Sequence, residues 1–478
     1  MGLKEFTSGA DDQDASGQDG HGPTRRGLLM AGLAASVAAG TGAWTDAATP
    51  RRAATVAASQ VTKSGIRKPG SLPYPDRPVG KDTLPLIRHI VVLMMENHSY
   101  DNKLGMLQRP GADGFTLGKN GLPIETNPYA NGKTQHLFRM PTVCQLNGKP
   151  SQEWQQSHSQ YAGGKNDGFV ESASGPVSMG YWQQEDQPFY YSLASAFPIA
   201  DRYFSSVLGQ TFPNRRYLLA ATSLGMVDDT FPLGYPANGT LFDLFDKHHI
   251  SWKNYYSTTP STLLFPQLYF DNFGKNVLPL GHFFDDAASG NLPDYCIVDP
   301  DYSTHSEEDP QNIAIGEAFA YEVVKAVMAG PEWETTLLIW TYDEHGGYYD
   351  HVPPPKAIAP DKIAPKVPAG EPVYDGFARY GFRVPCSLIS PWSRKNYVSH
   401  NVFDHSSICK LAETKWNLPA MTFRDANASN MLDMLDFKHP AFAKPPKLAT
   451  PLYNSNPDAL ICGFTGPGTI PPPGSVTG

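Results

Sequence analysis

Residues 88–97 read RHIVVLMMEN. The apolar run from Ile90 to Met95 has no polar alternation and stops abruptly at Glu96 and Asn97. A short uninterrupted run of this kind is the pattern of a strand covered on both faces in a mostly parallel sheet. Two further runs repeat it, TTLLIWTY at 335–342 and RVPCSLIS at 383–390. A helical pattern from Ile313 to Met328 precedes the second, with Ala318, Val323, Val324 and Val327 on its apolar face, and another at about 404–416 follows the third. Strands alternating with helices predict an α/β fold with a mostly parallel central sheet and helices on both faces.

In open α/β sheets the chemistry collects beyond the carboxyl ends of the strands. Glu96 and Asn97 stand at the first such end, and Asp343, Glu344 and His345 open the DEHGGYYDHVPPP segment at the second. Two acidic clusters at two strand ends can converge on one hard cation, which takes oxygen ligands from carboxylates and amides. Singly, each cluster also suits helix capping or a solvated loop. A third place is VLGQTFPNRRYLLAATS at 207–223, where the helical pattern begins near Asn214 behind Pro213. Thr211 therefore sits at or just before a helix N-terminus, where free amides and the helix dipole favour phosphate. An ordinary N-cap explains such a Thr, but the geometry equally suits a nucleophilic hydroxyl if a cation lowers its pKa. DPDYSTHSEED at 299–309 starts like a calcium loop, yet it lacks the sixth-position Gly and has Pro310 where the bidentate Glu belongs, so it reads as an acidic loop. The irregular stretches 111–168 and 352–378 have the length of active-site loops or lids.

Bulk composition bounds the function class. The 478-residue chain carries a net charge of −9, which provides no cationic footprint for a stable nucleic-acid-binding module. Its 43 Gly and 44 Pro follow no period, which excludes collagen and repeat arrays. No run outside the N-terminus is long and apolar enough for a membrane span. Five Cys without a CxxC pair exclude a zinc ribbon and leave zero, one or two disulfides open. TRRGLLMAGLAASVAAGTGA, Thr24 to Ala43, places Arg25 and Arg26 ahead of a weakly apolar, Gly- and Ala-rich run. This is the pattern of a twin-arginine export signal, read over a lone membrane anchor or a mitochondrial transit segment. The expected organisation is an export signal at 1–48, a flexible linker at 49–80, a catalytic domain at 81–445 and a Pro/Gly-rich tail at 446–478. The chain is then a client of the twin-arginine machinery and is secreted, periplasmic or bound in the cell envelope.

The strand-end and helix-start segments together resemble one family. MMENHSYDNKLG is similar to the "ENRSFD" opening of the bacterial phosphoesterases that include phospholipases C and acid phosphatases. TFPNRRY resembles that family's "T-x-P-N-R" segment, and TYDEHGGYYDHVPPP its "DEHGG-x-x-DHV-x-P" segment. GGKNDGFV at 163–170, IADRYFSSVLG at 199–209 and VSHNVFDHSSICKLAE at 398–413 agree as well, all in family order. The resemblance implies an alkaline phosphatase-like fold and a divalent metal cation held by Glu96, Asn97, Thr211 and Asp343, with Glu344 joining or orienting that set. It implies Thr211 as nucleophile through a phospho-Thr intermediate, His158 and His345 as catalytic, and His158, His351, Glu308 and His405 toward the substrate. Gln152 and Glu308 stand where many members have His, a departure for which His305 could compensate. The larger phospholipases of the family carry extra C-terminal β domains; the expectation of little chain after the catalytic part favours a compact esterase over a haemolytic phospholipase. The function so implied is exported, metal-dependent hydrolysis of phosphate esters or phospholipids, phospholipase C-like, with transient contact to a membrane surface. An acid phosphatase acting on monoesters is the alternative within the class, and a non-catalytic secreted binding protein the alternative outside it.

Overall fold

Ile90 to Met95 are at most 1% exposed, which places both faces of their strand under other elements. In the computed structural model this strand, β1 (His89–Met95), lies inside an eight-stranded sheet. The others are β2 (Ile199–Ala200), β3 (Trp252–Tyr256), β4 (Val277–Pro279), β5 (Tyr295–Asp299), β6 (Thr336–Tyr342), β7 (Cys386–Ile389) and β8 (Val398–Ser399). Their spatial order is β8-β2-β7-β6-β1-β5-β3-β4. The structure describes residues 60–62, 64–145, 150–231, 234–455 and 471–478; the expected export signal, 1–48, and the first part of the expected linker lie outside these.

β1 pairs parallel with β6 and β5, and the parallel run continues through β3 to β4. β7 is antiparallel to both β6 and β2. The third sequence-expected strand is therefore real but shorter than 383–390 and reversed in direction. A parallel return needs a crossover element, and between Tyr342 and Cys386 the chain supplies only loop. β3 and β5 escape a reading by apolar runs because β3 holds Asn254 in its middle. That side chain is buried and satisfied, donating to Asp299 Oδ2 at 2.6 Å and accepting from Thr262 Oγ1 at 2.9 Å.

The helices that matter for the site are α1 (Tyr100–Leu104), α2 (Trp154–Tyr161), α3 (Pro188–Ala196), α4 (Thr211–Ala220), α5 (Gly281–Ser289), α6 (Ile313–Ala329) and α7 (His405–Trp416). α4 packs against α7, while α6 packs against α5, α3 and β6. Asn312 caps α6, accepting from the Ala314 amide at 2.8 Å. No helix among the described residues is long and apolar enough to cross a membrane.

Residues 64–80 correct the linker expectation for that part of 49–80. Gly70 donates to the Ala420 carbonyl, Arg67 to Asn427 Oδ1 and Tyr74 to Asn417 Oδ1, and Asn417 Nδ2 returns to the carbonyls of Tyr74, Arg77 and Pro78. Side-chain amides thus strap this segment to the end of α7. In the expected tail, Val476–Thr477 pairs antiparallel with the strand Thr134–His136. Cys144 is disulfide-bonded, whereas Cys296 on β5, Cys386 on β7 and Cys409 on α7 are free thiols, all fully buried.

Candidate active site

The register Met95↔Tyr342 sets the ends of β1 and β6 side by side, and the Asp343 amide donates to the Met95 carbonyl at 3.1 Å. Glu96 and Asn97 therefore face Asp343 and Glu344. Asn97 Nδ2 donates to Glu344 Oε1 at 2.6 Å and to Thr211 Oγ1 at 3.1 Å, so one amide joins both strand ends to the start of α4. Thr211 is the first residue of α4 behind an extended Gln210. The entering loop is latched by Asn214, which accepts from the Val207 amide and donates to the carbonyls of Gly209 and Gln210. The expectation of free amides for phosphate is narrowed here. The Phe212 amide donates to Asp229 Oδ1 at 2.7 Å and Pro213 has none, so the first turn offers an anion mainly its dipole.

Arg215, one turn further along α4, lies between the acidic side chains. Its Nε is 3.1 Å from Asp343 Oδ2 and 3.5 Å from Glu96 Oε1, and Nη1 is 3.8 Å from Asp299 Oδ1. Nη2 donates to the carbonyls of Met94 and Met95, and the guanidinium stands 5.0 Å from the Tyr302 ring centroid. Burial alone would lower the pKa of this guanidinium, but Tyr302, Asp343, Glu96 and Asp299 together raise it further above its usual value. Asp299 is additionally satisfied by Asn254, the Ser261 amide and hydroxyl, and Tyr302. Glu96 and Asp343 thus share one guanidinium with Asp299, while Glu344 accepts from Asn97 and from the Gly346 amide instead. Glu96, Asp343 and Glu344 are the three buried carboxylates at the two strand ends. With the Asn97 amide and the Thr211 hydroxyl they form an all-oxygen donor set, once the amide is turned to present Oδ1, an orientation assigned from hydrogen bonding. Surplus buried negative charge and oxygen donors fit a hard divalent cation.

A second group, Asp101, Asp350 and His351, has potential ligand atoms within 4.8 Å of one another. Its charge is already balanced. Arg383 pairs with Asp101 and Asp350 at 2.9 Å each, and His351 holds Asp101 through Nδ1 at 2.7 Å and Asp113 through Nε2 at 3.2 Å. Burial would lower the His351 pKa, but Asp101 and Asp113 push it up to about 10, which favours the charged ring within this network. This is an ion-pair network beneath the 343–351 segment. Both ring nitrogens of His351, expected toward the substrate, are engaged by Asp101 and Asp113 here.

The other histidines are also constrained. His345 bonds Gln160 Oε1 through Nε2 at 2.7 Å, and burial pushes its pKa down to about 3. It packs against Phe382, and its Nδ1 lies 3.4 Å from Glu344 Oε2, which ties the DEHGG turn to the carboxylate cluster. His405 donates from Nε2 to the Asp343 carbonyl at 2.6 Å, with Nδ1 facing Tyr203 OH at 3.1 Å, and burial lowers it to about 4. Both of its ring nitrogens thus have partners, and the bond to the Asp343 carbonyl ties α7 to that strand end. His158 on α2 uses Nδ1 on the Trp154 carbonyl at 2.7 Å and stacks on Tyr374 with centroids 3.9 Å apart. Burial lowers it to about 4, so its Nε2 presents a lone pair. Glu308 and Gln152 are both buried, and the Glu308 amide donates to Ser306 Oγ at 3.3 Å. His305 bonds its neighbour Thr304 and faces Phe319, and no contact ties it to the carboxylate cluster.

The reading by strand ends missed Arg215 and the Asp299–Tyr302 pair behind it. Arg215 was in view inside TFPNRRY, and the strand end at Asp299 was hidden because its strand was not recognised.

Strand-end carboxylates around a helix-borne hydroxyl, with one guanidinium among them, define an α/β hydrolase built for anionic esters. The sequence profile of the Phosphoesterase family matches residues 87–419. The non-specific phospholipase C1 of Arabidopsis thaliana is 33% identical over 378 residues, covering 71% of this chain and 69% of that one. The phospholipase C B of Mycobacterium tuberculosis is 29% identical over 432 residues, covering 79% and 82%. A solved structure of a protein in the alkaline phosphatase superfamily from Vibrio parahaemolyticus overlaps 77% of this chain and 72% of its own, with a TM-score of 0.37 and 8% identity. The chain belongs to the Phosphoesterase family, and it is a hydrolase acting on phosphate ester bonds.

Proposed function

We propose that the protein is an exported phospholipase C-like enzyme in which Thr211 is the nucleophile, working beside a divalent cation held by Glu96, Asn97, Asp343 and Glu344. The observation that carries this reading is the Asn97 amide, within hydrogen-bond reach of both Thr211 Oγ1 and Glu344 Oε1. When bound, the cation supplies the Lewis acidity that a Thr hydroxyl needs, since Thr is a poor nucleophile at its own pKa. Thr211 Oγ1 forms a bond to phosphorus as the bond to the leaving alcohol breaks in line with it, and the alcohol departs with a proton. Water then adds to phosphorus, breaks the Oγ1–P bond and frees the hydroxyl. Arg215 pairs with Glu96 and Asp343 and holds them in place. His158, neutral with its lone pair on Nε2, is suited to accept a hydrogen bond or proton, so it is a poor source of the proton for the alcohol.

Contact with a lipid surface falls to the strap 361–378 in this reading. Asp361 accepts from Thr222 at 2.6 Å and the Lys366 amide donates to the Gly225 carbonyl, both just beyond α4. Tyr374 lies on His158, while Ile363, Val373 and Tyr374 are 41%, 46% and 44% exposed. These apolar side chains at the rim of the site suit an interfacial substrate.

The test is Thr211→Ala assayed on a phosphatidylcholine vesicle, p-nitrophenyl phosphorylcholine and p-nitrophenyl phosphate. Turnover should vanish on all three, while the unfolding curve stays close to that of the unsubstituted chain, because Thr211 is the first helical residue and Gln210 stands at the cap. Activity within a few-fold of the unsubstituted chain would remove Thr211 from the role. Preference for the monoester over both choline substrates would point to the phosphatase alternative.

A further inference from the structure

Glu307 carries the least comfortable side chain in the described core. It is fully buried, its φ is +78°, and its Cγ occupies the space a Cβ at Gly316 would need, 2.1 Å away. Positive φ in a residue other than Gly costs energy that the surroundings must over-determine. Five polar groups do so. Lys103 Nζ on α1 pairs with Oε2 at 2.5 Å, with both side chains inaccessible to solvent. Tyr190 OH on α3 donates to Oε1 at 2.6 Å, and Tyr342 OH donates to Oε2 at 2.8 Å. The Glu307 carbonyl accepts from His98 Nε2 at 3.1 Å and from Gln145 Nε2 at 2.6 Å. The Lys103 ammonium is further wrapped by the rings of Tyr190, Trp182 and Tyr342 at 5.2, 5.5 and 5.7 Å from their centroids.

A buried ion pair is weak evidence for stability, because desolvation cancels much of the attraction and apolar residues of similar volume do as well. What this pair touches is more telling. Tyr342 immediately precedes Asp343, and His98 immediately follows Asn97. The carbonyl of Ser306, next to Glu307, accepts from the Glu96 amide at 2.9 Å, and Glu308 follows on the other side. A single residue is therefore tied to both ligand-bearing strand ends and to the loop that presents Glu308.

We propose that Glu307, made tolerable in the core by Lys103, is a positioning residue that fixes the separation of the β1 and β6 ends and thereby the cation site between them. This rests on the cation reading of the site given above. Glu307 touches no reacting atom; it acts through Tyr342, His98 and the Ser306 carbonyl. Groups that orient ligands from behind typically change metal affinity by about 10–100-fold when removed.

The experiment uses the full chain, with Mn²⁺ and Ca²⁺ each titrated alone by calorimetry, beside unfolding curves and steady-state kinetics. Glu307→Gln leaves Lys103 as an unpaired buried charge and should weaken binding of at least one cation by about 10-fold, with kcat falling and KM little changed. Lys103→Met combined with Glu307→Gln removes that charge, so it should regain stability relative to the single variant without regaining cation affinity or kcat. Tyr342→Phe removes one hydroxyl and is the conservative control, expected to fold and to lose affinity by a few-fold. Recovery of affinity together with stability in the double variant would reduce the pair to a purely structural role and overturn the proposal. Unchanged affinity in Glu307→Gln or Tyr342→Phe would overturn it as well. If the unsubstituted chain binds neither cation, the cation reading falls and takes this proposal with it.

Discussion

Replacing Arg215 by Met removes the only guanidinium among Glu96, Asp343 and Asp299 in the described structure while keeping most of the side-chain volume. At an effective dielectric of about 20, the 3.1 Å pair with Asp343 alone is worth about 5 kcal/mol of gross attraction. Desolvation of the ions offsets much of this, so the pair's net contribution is small. Breaking it is another matter, because the carboxylates stay buried without their partner, and such losses run to about 3–5 kcal/mol. Urea unfolding followed by tryptophan fluorescence should therefore show a loss of that size in buffer containing EDTA. A divalent cation offers the same compensation as the guanidinium, and a ligand at one hundred times its Kd adds about 2.7 kcal/mol. Removing a neighbouring positive charge also tightens cation binding, so at equal cation concentration the increment should be larger in Arg215→Met than in the unsubstituted chain. A loss below about 1 kcal/mol in EDTA would refute the reasoning. Equal cation increments in the two proteins would show that Arg215 and the cation do not answer to the same carboxylates.

His351 has a folded pKa near 10 against about 6.5 when unfolded, so its ion pairs stabilise fully below pH ~6.5 and are lost as pH rises toward 10. Stability measured from pH 6 to pH 10 should fall across that window, and His351→Gln should flatten the slope. His345 has the opposite sign: with a folded pKa of about 3 it must stay neutral, so stability declines as pH drops below ~6.5, and His345→Gln should lessen that decline. Gln152→His with Glu308→His should raise turnover of alkyl phosphate esters more than of p-nitrophenyl esters, since a His acid matters most for poor leaving groups. Equal effects on both would mean that neither position serves the leaving group.

The elements legible in the sequence were those with a single uninterrupted signal. Ile90–Met95 and Leu337–Trp340 are apolar throughout, and α6 and α7 keep helical spacing, so strand, helix and strand end could be placed without coordinates. β3 and β5 were illegible because Asn254 and Asp299 satisfy each other across the sheet, a pairing that exists only once the strands are adjacent. The direction of β7 depended on what the chain between Tyr342 and Cys386 failed to form. At the site, residue types and strand ends located Glu96, Asn97, Thr211, Asp343 and Glu344. Motif membership did not give the histidines their roles. His345, His351 and His405 are each fixed by a distant partner, Gln160, Asp101 or Tyr203, that no local pattern announces.

The three buried thiols make the molecule its own clock of opening. A thiol sealed in apolar surroundings is inert until its element separates from its neighbours, and burial raises all three well above the usual thiol pKa. Cys296 sits on β5, on one side of the central pair β1 and β6; Cys386 sits on β7, on the other; Cys409 lies on α7, donating to the Leu218 carbonyl on α4. Alkylation of each by a small reagent, followed by mass spectrometry, would report three separate regions of one sheet and its covering layer. If the reversed strand β7 is the weaker side, Cys386 reacts first, and the order of labelling then traces how the fold comes apart.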